Sequence, residues 1–183
     1  HAFAGGKLFT NRQNSIVGYE QTPFGSYREV SEFSIGTSPQ RQLRDMVGSG
    51  DLLFVSSDNQ SSTTQPTEVQ IFRTYPDLVL EQTIRAASNS SIYQGFASTV
   101  VAKGNLLVIT NNQSFSADSL RLWIYRRGTL PTNPWRLADQ VTIDSQPFNN
   151  AIVETDGESI LVSYHDGNIG QNKISVIRET GRD

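Results

Sequence analysis

The residues that could bind a metal or move a proton in this chain are few. His1 and His165 are the only histidines, and the sequence has no cysteine, which leaves a transition-metal cluster almost without ligands. An N-terminal histidine together with a second histidine can chelate copper, but the repeated strand pattern of this chain predicts a propeller and not the β-sandwich of enzymes with such a site. We expect no metal and no cofactor.

Acid–base and nucleophilic catalysis also lack a complete set of residues. His165 and Asp166 are adjacent, but no G-x-S-x-G elbow supplies a nucleophile for them, and an Asp-Gly pair is typical of a turn. Asp156 and Glu158 flank a glycine in a predicted tight turn, where carboxylates are solvated. Three arginines recur at one position of a repeat, which favours a structural role at a strand edge: Arg73, Arg126 and Arg178. We expect no catalytic residue.

Composition excludes two classes of partner and indicates a location. The net charge is −3 with a pI near 5.4, and no basic run stands out, so we expect no nucleic acid. No apolar run approaches the ~20 residues that span a bilayer, so we expect no membrane insertion. Abundant Ser, Thr, Asn and Gln, with three Asn-x-Ser sequons, favour an extracellular or surface-exposed protein of cellular or viral origin. The sequons begin at Asn59, Asn89 and Asn112.

A repeat organises the elements that must position these residues. An apolar run occurs as "LLFV", "LLVI" and "ILV", starting at Leu52, Leu106 and Ile160, which are 54 residues apart. A second landmark, an apolar-aromatic-Arg signature, follows each run as "IFR", "IYR" and "VIR" at a spacing of 53 or 52. We expect Leu52, Leu106 and Ile160 to occupy equivalent positions.

Each repeat predicts four antiparallel strands. Gly50, Gly104 and Gly157 supply the positive φ of a tight hairpin before each apolar run. The runs do not alternate, so both of their faces should be dry, as in the inner strands of a β-propeller blade. The sequence therefore predicts an all-β fold: a β-propeller of four-stranded antiparallel blades, with about four blades or as part of a larger ring.

The predicted propeller occupies residues 1–183 as a single domain or segment, with units of about 1–35, 41–84, 95–143 and 149–183. We expect about fourteen strands, with three each in the first and last units and four in each middle unit. Unpaired terminal strands would allow self-association through their edges.

One unit resembles a known family. The stretch "YQGFASTVVAKGNLLVITNNQSFSADSLRLWIYRRGTLPTNPWRLADQVTI" has Gly95-Phe96 before a first strand, a Gly turn, an apolar run and an aromatic third strand. It resembles the FG-GAP type of propeller repeat found in integrin α-subunit heads. The resemblance implies an extracellular propeller that binds other molecules. The family's Asp-x-Asp-x-Asp-Gly calcium loop is absent from "SSDNQSSTTQ" and "HDGNIGQ", so we expect no calcium.

Loop length predicts which end of the sheets binds. Connections from second to third strands and from fourth to first strands are long and polar, at about 56–67, 110–118 and 163–172 and at about 36–40, 85–94 and 144–149. Long loops on a rigid scaffold commonly carry binding sites. The candidate ligand-binding residues in these loops are Asp58, Asn59, Tyr93, Asn112, Phe115, Phe148, His165, Asp166 and Asn168.

The predicted function is a non-enzymatic extracellular binding module that recognises a protein or glycan through these loops. One alternative is a structural segment of a viral or cell-surface spike, fibre or adhesin, whose chains would close one another's open edges. A further alternative is a glycan-cleaving propeller enzyme, which would need two carboxylates facing each other at catalytic separation.

Overall fold

The computed structural model describes residues 1–35, 41–59, 67–85, 96–111, 119–130, 132–144, 151–166 and 169–178. These residues form fifteen β-strands and no helix. The strands make four separate sheets, and within each sheet every strand pairs antiparallel with the strand before or after it in sequence. The all-β prediction is confirmed for this part of the chain.

Each sheet consists of strands that follow one another along the chain. The first sheet contains β1 (Ala2–Ala4), β2 (Lys7–Arg12), β3 (Ser15–Gln21) and β4 (Tyr27–Ser34). The second contains β5 (Arg41–Ser49), β6 (Leu52–Asn59), β7 (Glu68–Arg73) and β8 (Val79–Arg85). The third contains β9 (Thr99–Lys103), β10 (Leu106–Thr110), β11 (Ser119–Arg127) and β12 (Trp135–Asp144). The fourth contains β13 (Ile152–Thr155), β14 (Ser159–Asp166) and β15 (Gln171–Arg178).

The first sheet corrects the predicted strand count. The sequence pattern predicts three strands in the first unit, whereas the structure places β1 in front of them. β1 pairs with β2 across the Gly5-Gly6 turn, with Ala2 opposite Phe9 and Ala4 opposite Lys7. Three residues that include two alanines are too few and too small to show an alternating pattern, so the sequence does not reveal this strand.

The chain divides into two compact units, His1–Ser90 and Ser91–Asp183. The first unit holds the first and second sheets, and the second unit holds the third and fourth. Each unit has a hydrophobic core to which both of its sheets contribute.

In the first unit, the core joins opposite faces of two successive sheets. We call one face of each sheet forward and the other backward. The forward face is the one on which the second strand places Phe9 in the first sheet, Phe54 in the second, Val108 in the third and Leu161 in the fourth. The forward face of the first sheet contributes Phe9 and Ile16, and the backward face of the second contributes Leu53 and Phe72. Phe33 meets Phe72 edge to face, with ring centroids 4.8 Å apart.

The second unit repeats this order. Val108 and Leu122 lie on the forward face of the third sheet, and Val162 and Tyr164 lie on the backward face of the fourth. All four side chains are buried in one core. In both units, therefore, the forward face of one sheet packs on the backward face of the next sheet along the chain.

Burial confirms one prediction about the apolar runs. All four residues of Leu52–Val55 and all four of Leu106–Ile109 are buried, so both faces of β6 and β10 are dry. In the fourth sheet, Ile160 and Val162 are buried but Leu161 between them is 39% exposed. The forward face of the fourth sheet is thus open where the equivalent faces are covered.

Cross-strand register corrects the predicted equivalence of Leu52, Leu106 and Ile160. Leu52 and Leu106 stand opposite the arginine of the third strand, and in the fourth sheet that place belongs to Ser159, opposite Arg178. Ile160 stands opposite Ile177 and matches Leu53 and Leu107 instead, one residue along and on the other face.

The turns do not cause this one-residue shift. Ser49 pairs with Leu52 and Lys103 with Leu106, so a glycine lies two positions before each of these leucines. Thr155 pairs with Ile160, which places Asp156 level with Ser159 and leaves Gly157 two positions before Ser159. Ser159 therefore takes the place of the leucine in the fourth sheet, and the apolar run begins one residue later.

A β-bulge recurs at one position of the repeat. In the first three sheets the register of the third and fourth strands shifts by one residue at the same height. The shifts fall between Gly18 and Tyr19, Ile71 and Phe72, and Ile124 and Tyr125. The spacing of 53 residues matches the repeat.

Candidate functional site

The antiparallel order gives every sheet two chemically different ends. At the loop end, the second strand finishes and the third begins, as at Thr110 and Ser119. At the turn end lie the glycine turns and the connections between third and fourth strands, such as that from Arg73 to Val79. The predicted binding loops belong to the loop end.

The turn end of the first unit is tied together by hydrogen bonds to backbone carbonyls. The Gly5 N–H donates to Gly50 O at 2.7 Å, and the Thr74 N–H donates to Asp51 O at 2.9 Å. Lys7 is 7% exposed, and its Nζ donates to the carbonyl oxygens of Thr74 and Pro76, each at 3.1 Å. Buried polar groups at this end are therefore used internally.

The turn end of the second unit is organised in the same way. Arg126 of the third sheet donates from Nη1 to Gly157 O in the fourth sheet at 3.0 Å, and Arg127 donates to Asn133 O at 3.0 Å. Asp156 Oδ1 accepts from the backbone N–H groups of Ser159 at 2.6 Å and Glu158 at 2.9 Å. These bonds, that from Ser159 first, lower the pKa of Asp156.

These contacts agree with a structural role for two of the recurring arginines. Arg126 holds the neighbouring glycine turn, and Arg73 forms an ion pair with Glu81 at 3.2 Å within its own sheet. Each guanidinium is thus engaged by its own sheet or by the next sheet of its unit.

The loop end of the first sheet carries an exposed charge cluster. Arg12 at the end of β2 makes a two-pronged contact with Glu29 at 3.1 and 3.0 Å and a further contact with Glu32 at 3.1 Å. The hydrogen bond to Glu29 is the main cause of the raised pKa of Arg12. All three side chains are about half exposed, so water screens their attraction.

The loop end of the second sheet buries a carboxylate. Glu68 is 2% exposed and accepts from Nε of Arg85 at 2.9 Å, while the Arg85 side chain is 64% exposed. Ser57 lies opposite Glu68 in the sheet, and Gln70 follows on the same face. Within the described part of the chain, Ser57 Oγ and Gln70 Oε1 are buried and have no hydrogen-bond partner.

The loop end of the third sheet is held by a buried asparagine. Asn111 is 5% exposed; its Nδ2 donates to Ser119 O at 3.3 Å and its Oδ1 accepts from the Arg121 N–H at 2.8 Å. Both anchor points of the connection 112–118 are thereby fixed to the sheet. A rigid base of this kind is what a binding loop needs.

The loop end of the fourth sheet presents two cross-strand pairs. His165 is exposed, and its Nδ1 lies 3.0 Å from Oδ1 of Asn172, so the Nδ1–H tautomer donates. Asp166 is 4% exposed and is neutralised by an ion pair with Lys173. The hydrogen bond from Lys173 Nζ to Asp166 Oδ2 raises the pKa of Lys173.

The structure corrects the placement of four predicted site residues. Asp58 and Asn59 lie in β6, paired with Gln42 and Arg41, and His165 and Asp166 lie in β14. All four were expected in loops, because polar residues at strand ends resemble loop sequence. Asp166 is buried behind Lys173, whereas His165 is accessible.

The other predicted contacts fall elsewhere in the chain. The residues that lie outside the described part are Tyr93, Asn112, Phe115, Phe148 and Asn168. Their role as ligand contacts stays a prediction.

Sequence reasoning missed the cross-strand partners at the loop ends. His165 and Asn172 are symmetric about the centre of one hairpin, a signal that the turn position would have supplied, whereas Lys173 lies opposite Tyr164 and reaches Asp166 diagonally. Arg12 and Glu29 belong to strands that are not adjacent in the sheet, so no hairpin spacing reveals them.

The described residues contain no cluster of three or more His, Asp or Glu side chains that could hold a metal ion. No helix among them is long and apolar enough to cross a membrane.

Comparison with known proteins gives a fold and no family. No family profile matches the sequence, and no curated protein matches it. Among solved structures, the chain is similar to a protein from Lactobacillus plantarum, with a TM-score of 0.52 and 11% sequence identity. The match covers 100% of this chain and 56% of that protein. At this identity the likeness concerns the fold alone.

Proposed function

We propose that the four sheets are blades of a β-propeller, formed by FG-GAP-like repeats. Three features support this assignment: sequential antiparallel strands in every sheet, a period of 52 to 54 residues, and forward-on-backward packing in both units. Phe96, of the Gly-Phe pair that suggested the repeat type, lies in the core. Phe96 is 1% exposed and meets Trp123 edge to face, with centroids 5.0 Å apart.

The innermost strands support the same assignment. Ala2 and Ala4 are buried, and a Cβ placed on Gly48 of β5 would overlap the carbonyl oxygen of Phe3 in β1. Successive first strands therefore approach with almost no side chain between them. Such crowding is expected where the first strands of blades converge on an axis.

We further propose that the chain is a non-enzymatic extracellular module that binds a protein or glycan at the loop ends of its sheets. The observation that carries this proposal is the contrast between the two ends. The turn ends use their polar groups on backbone carbonyls of the neighbouring sheet. The loop ends hold exposed polar side chains, such as Arg12 and His165, above rigid anchors such as Asn111.

The buried carboxylates favour binding over hydrolysis. Among the described residues, Glu68 and Asp166 are the two buried carboxylates, and each is occupied by a cation of its own sheet. A glycosidase needs a carboxylate free to act as acid, base or nucleophile. An ion pair with Arg85 or Lys173 opposes that role.

A glycan array probed with the labelled chain tests the binding proposal. We expect selective binding that falls about tenfold in Asn112→Ala and Phe115→Ala, which corresponds to about 1.4 kcal/mol and is in the range of residues that dominate an interface. The matched controls are Phe24→Ala and Leu130→Ala at the turn end, whose side chains are 96% and 62% exposed.

A panel of cell-surface ectodomains, printed beside the glycans, identifies a protein ligand instead. Loss of binding in the turn-end variants and not in the loop-end variants would reverse the assignment of the binding surface. Absence of selective binding to either class of ligand would overturn the proposed function.

A further inference from the structure

The fourth sheet exposes an apolar face. Its forward side carries Ile174 at 67%, Ile152 at 60%, Val176 at 53% and Leu161 at 39% exposure. The side chains share one face, because Ile152 and Ile174 both lie level with Ser163, and Leu161 pairs with Val176. An antiparallel sheet that faces water normally carries polar residues on its wet side, whereas here four exposed apolar side chains lie among polar ones such as Ser163 and Glu154.

The same positions are covered in the preceding sheet. By register, Leu161 and Val176 correspond to Val108 and Ile124, which pair in the third sheet. Val108 is 0% and Ile124 is 5% exposed, and both belong to the core that the fourth sheet completes. The forward face of the fourth sheet thus exposes apolar side chains at two positions that another sheet covers in the third.

A cation accompanies each of the two packed forward faces. Lys7, on the first sheet, donates to carbonyl oxygens of Thr74 and Pro76 at the turn end of the second sheet. Arg126, on the third sheet, donates to Gly157 O of the fourth. Arg178 occupies the register position of Arg126 and is exposed. Its guanidinium can donate in the same way to a backbone carbonyl of a sheet that packs on this face.

The backward face of the first sheet has the complementary features. Phe3 on this face is 60% exposed, and Leu8 and Tyr19, which pair with each other, are half-buried. Leu8 and Tyr19 correspond by register to Leu53 and Phe72, which fill the core of the first unit. The adjoining Gly5-Gly6 turn supplies backbone carbonyls at the position that Gly157 occupies in the fourth sheet.

We propose that the forward face of the fourth sheet is a docking surface for the backward face of the first sheet of a second copy of this chain. The contact is head-to-tail, so it joins two different surfaces and leads to a closed ring or to an open chain of molecules. It packs sheet faces together and does not pair strand edges. The proposal does not depend on the ligand of the loop ends.

Sedimentation equilibrium of the purified chain over a hundredfold concentration range tests the proposal. We expect the average mass to rise with concentration to at least twice the 20.3 kDa of one chain. Ile174→Glu on one surface and Phe3→Glu on the other should each weaken self-association by about tenfold or more, because a buried unpaired charge is costly. Leu137→Glu, at a side chain 52% exposed on β12, is the matched control and should associate as the unmodified chain does.

Mixing the two variants distinguishes a head-to-tail contact from a symmetric one. Ile174→Glu keeps an intact backward face and Phe3→Glu keeps an intact forward face, so an equimolar mixture should form a one-to-one dimer although neither variant associates alone. A chain that stays monomeric at every concentration would overturn the proposal. So would unchanged association of Phe3→Glu, which would indicate that two forward faces meet, or a mixture that does not associate.

Discussion

At the scale of single residues, cations at the turn end link successive sheets. Lys7 and Arg126 differ in type and in strand, yet both donate to backbone carbonyls of the next sheet at 3.0–3.1 Å. Carbonyl acceptors make such a link tolerant of sequence, because every residue of the partner turn carries one. The recurrence of Arg126 and Arg178 could be predicted from sequence, but the acceptor could not, since it depends on the fold of another repeat.

The Asp156 turn gives a pH-dependent prediction. Two backbone N–H groups favour the charged carboxylate and lower its pKa in the folded chain below the ordinary 3.8. Stability from this interaction is therefore complete above about pH 4 and is lost as the pH falls through the lowered pKa. Urea midpoints of the wild type and Asp156→Ala should differ at neutral pH and converge as the pH falls below the lowered pKa.

Asp139→Ala is the control for this measurement, since Asp139 is also exposed and its Oδ1 accepts from the backbone N–H of Gln140. Its midpoint should lie closer to that of the wild type at neutral pH. A gap between wild type and Asp156→Ala that stays constant throughout the acid range would show that the charge of Asp156 plays no part in holding the turn.

At the scale of elements, the sequence predicts features that depend on a few neighbouring residues and misses features that depend on contacts between strands or sheets. The glycine turns and the doubly buried runs Leu52–Val55 and Leu106–Ile109 were correct, because φ > 0 and unbroken apolar character are visible in a few residues. β1 was missed because its burial is created by the second sheet. Ile160 was assigned one residue away from its true equivalents because a serine, Ser159, takes the place of Leu106 in the fourth sheet and the apolar run begins one residue later.

The repeated bulge belongs to the same class of missed features. The extra residue at each bulge, Val30, Glu81 or Ala138, differs in side-chain type from sheet to sheet. A bulge strengthens twist and disturbs the pairing capacity of an outer strand. The bulge recurs in three sheets although the residue at the bulge differs. The repeat therefore preserves the backbone geometry of the outermost strand and not the side chain at this position.

Substitutions at two glycines distinguish the cost of backbone strain from the cost of close packing. Gly104 has φ +58°, and the space that a Cβ would occupy there is open, so Gly104→Ala should cost roughly 1–2 kcal/mol from strain alone. Gly48 leaves no room for a Cβ beside Phe3 O, so Gly48→Ala should cost more than the ~1–3 kcal/mol of ordinary overpacking. Urea denaturation of both variants checks the order, and a smaller loss for Gly48→Ala would refute the close approach of β1 and β5.

At the scale of the whole molecule, each unit packs the forward face of its first sheet on the backward face of its second. The fourth sheet leaves apolar side chains of its forward face exposed. Composition and spacing were sufficient to predict repeated antiparallel sheets. They could not show which face of a sheet meets the next, since forward and backward residues alternate within the same apolar run. The direction of packing follows from burial, and it is what relates the exposed Leu161 to the buried Val108.

A double-mutant cycle tests this face-to-face packing most directly. Val108→Ala and Val162→Ala remove side chains of one core and should show a coupling free energy of about 0.5–3 kcal/mol in urea unfolding. Val108→Ala combined with Leu161→Ala is the matched control, since Leu161 neighbours Val162 but lies on the open face. Its effects should add to within about 0.5 kcal/mol. Coupling of Val108 to Leu161 in place of Val162 would contradict the packing of forward on backward faces.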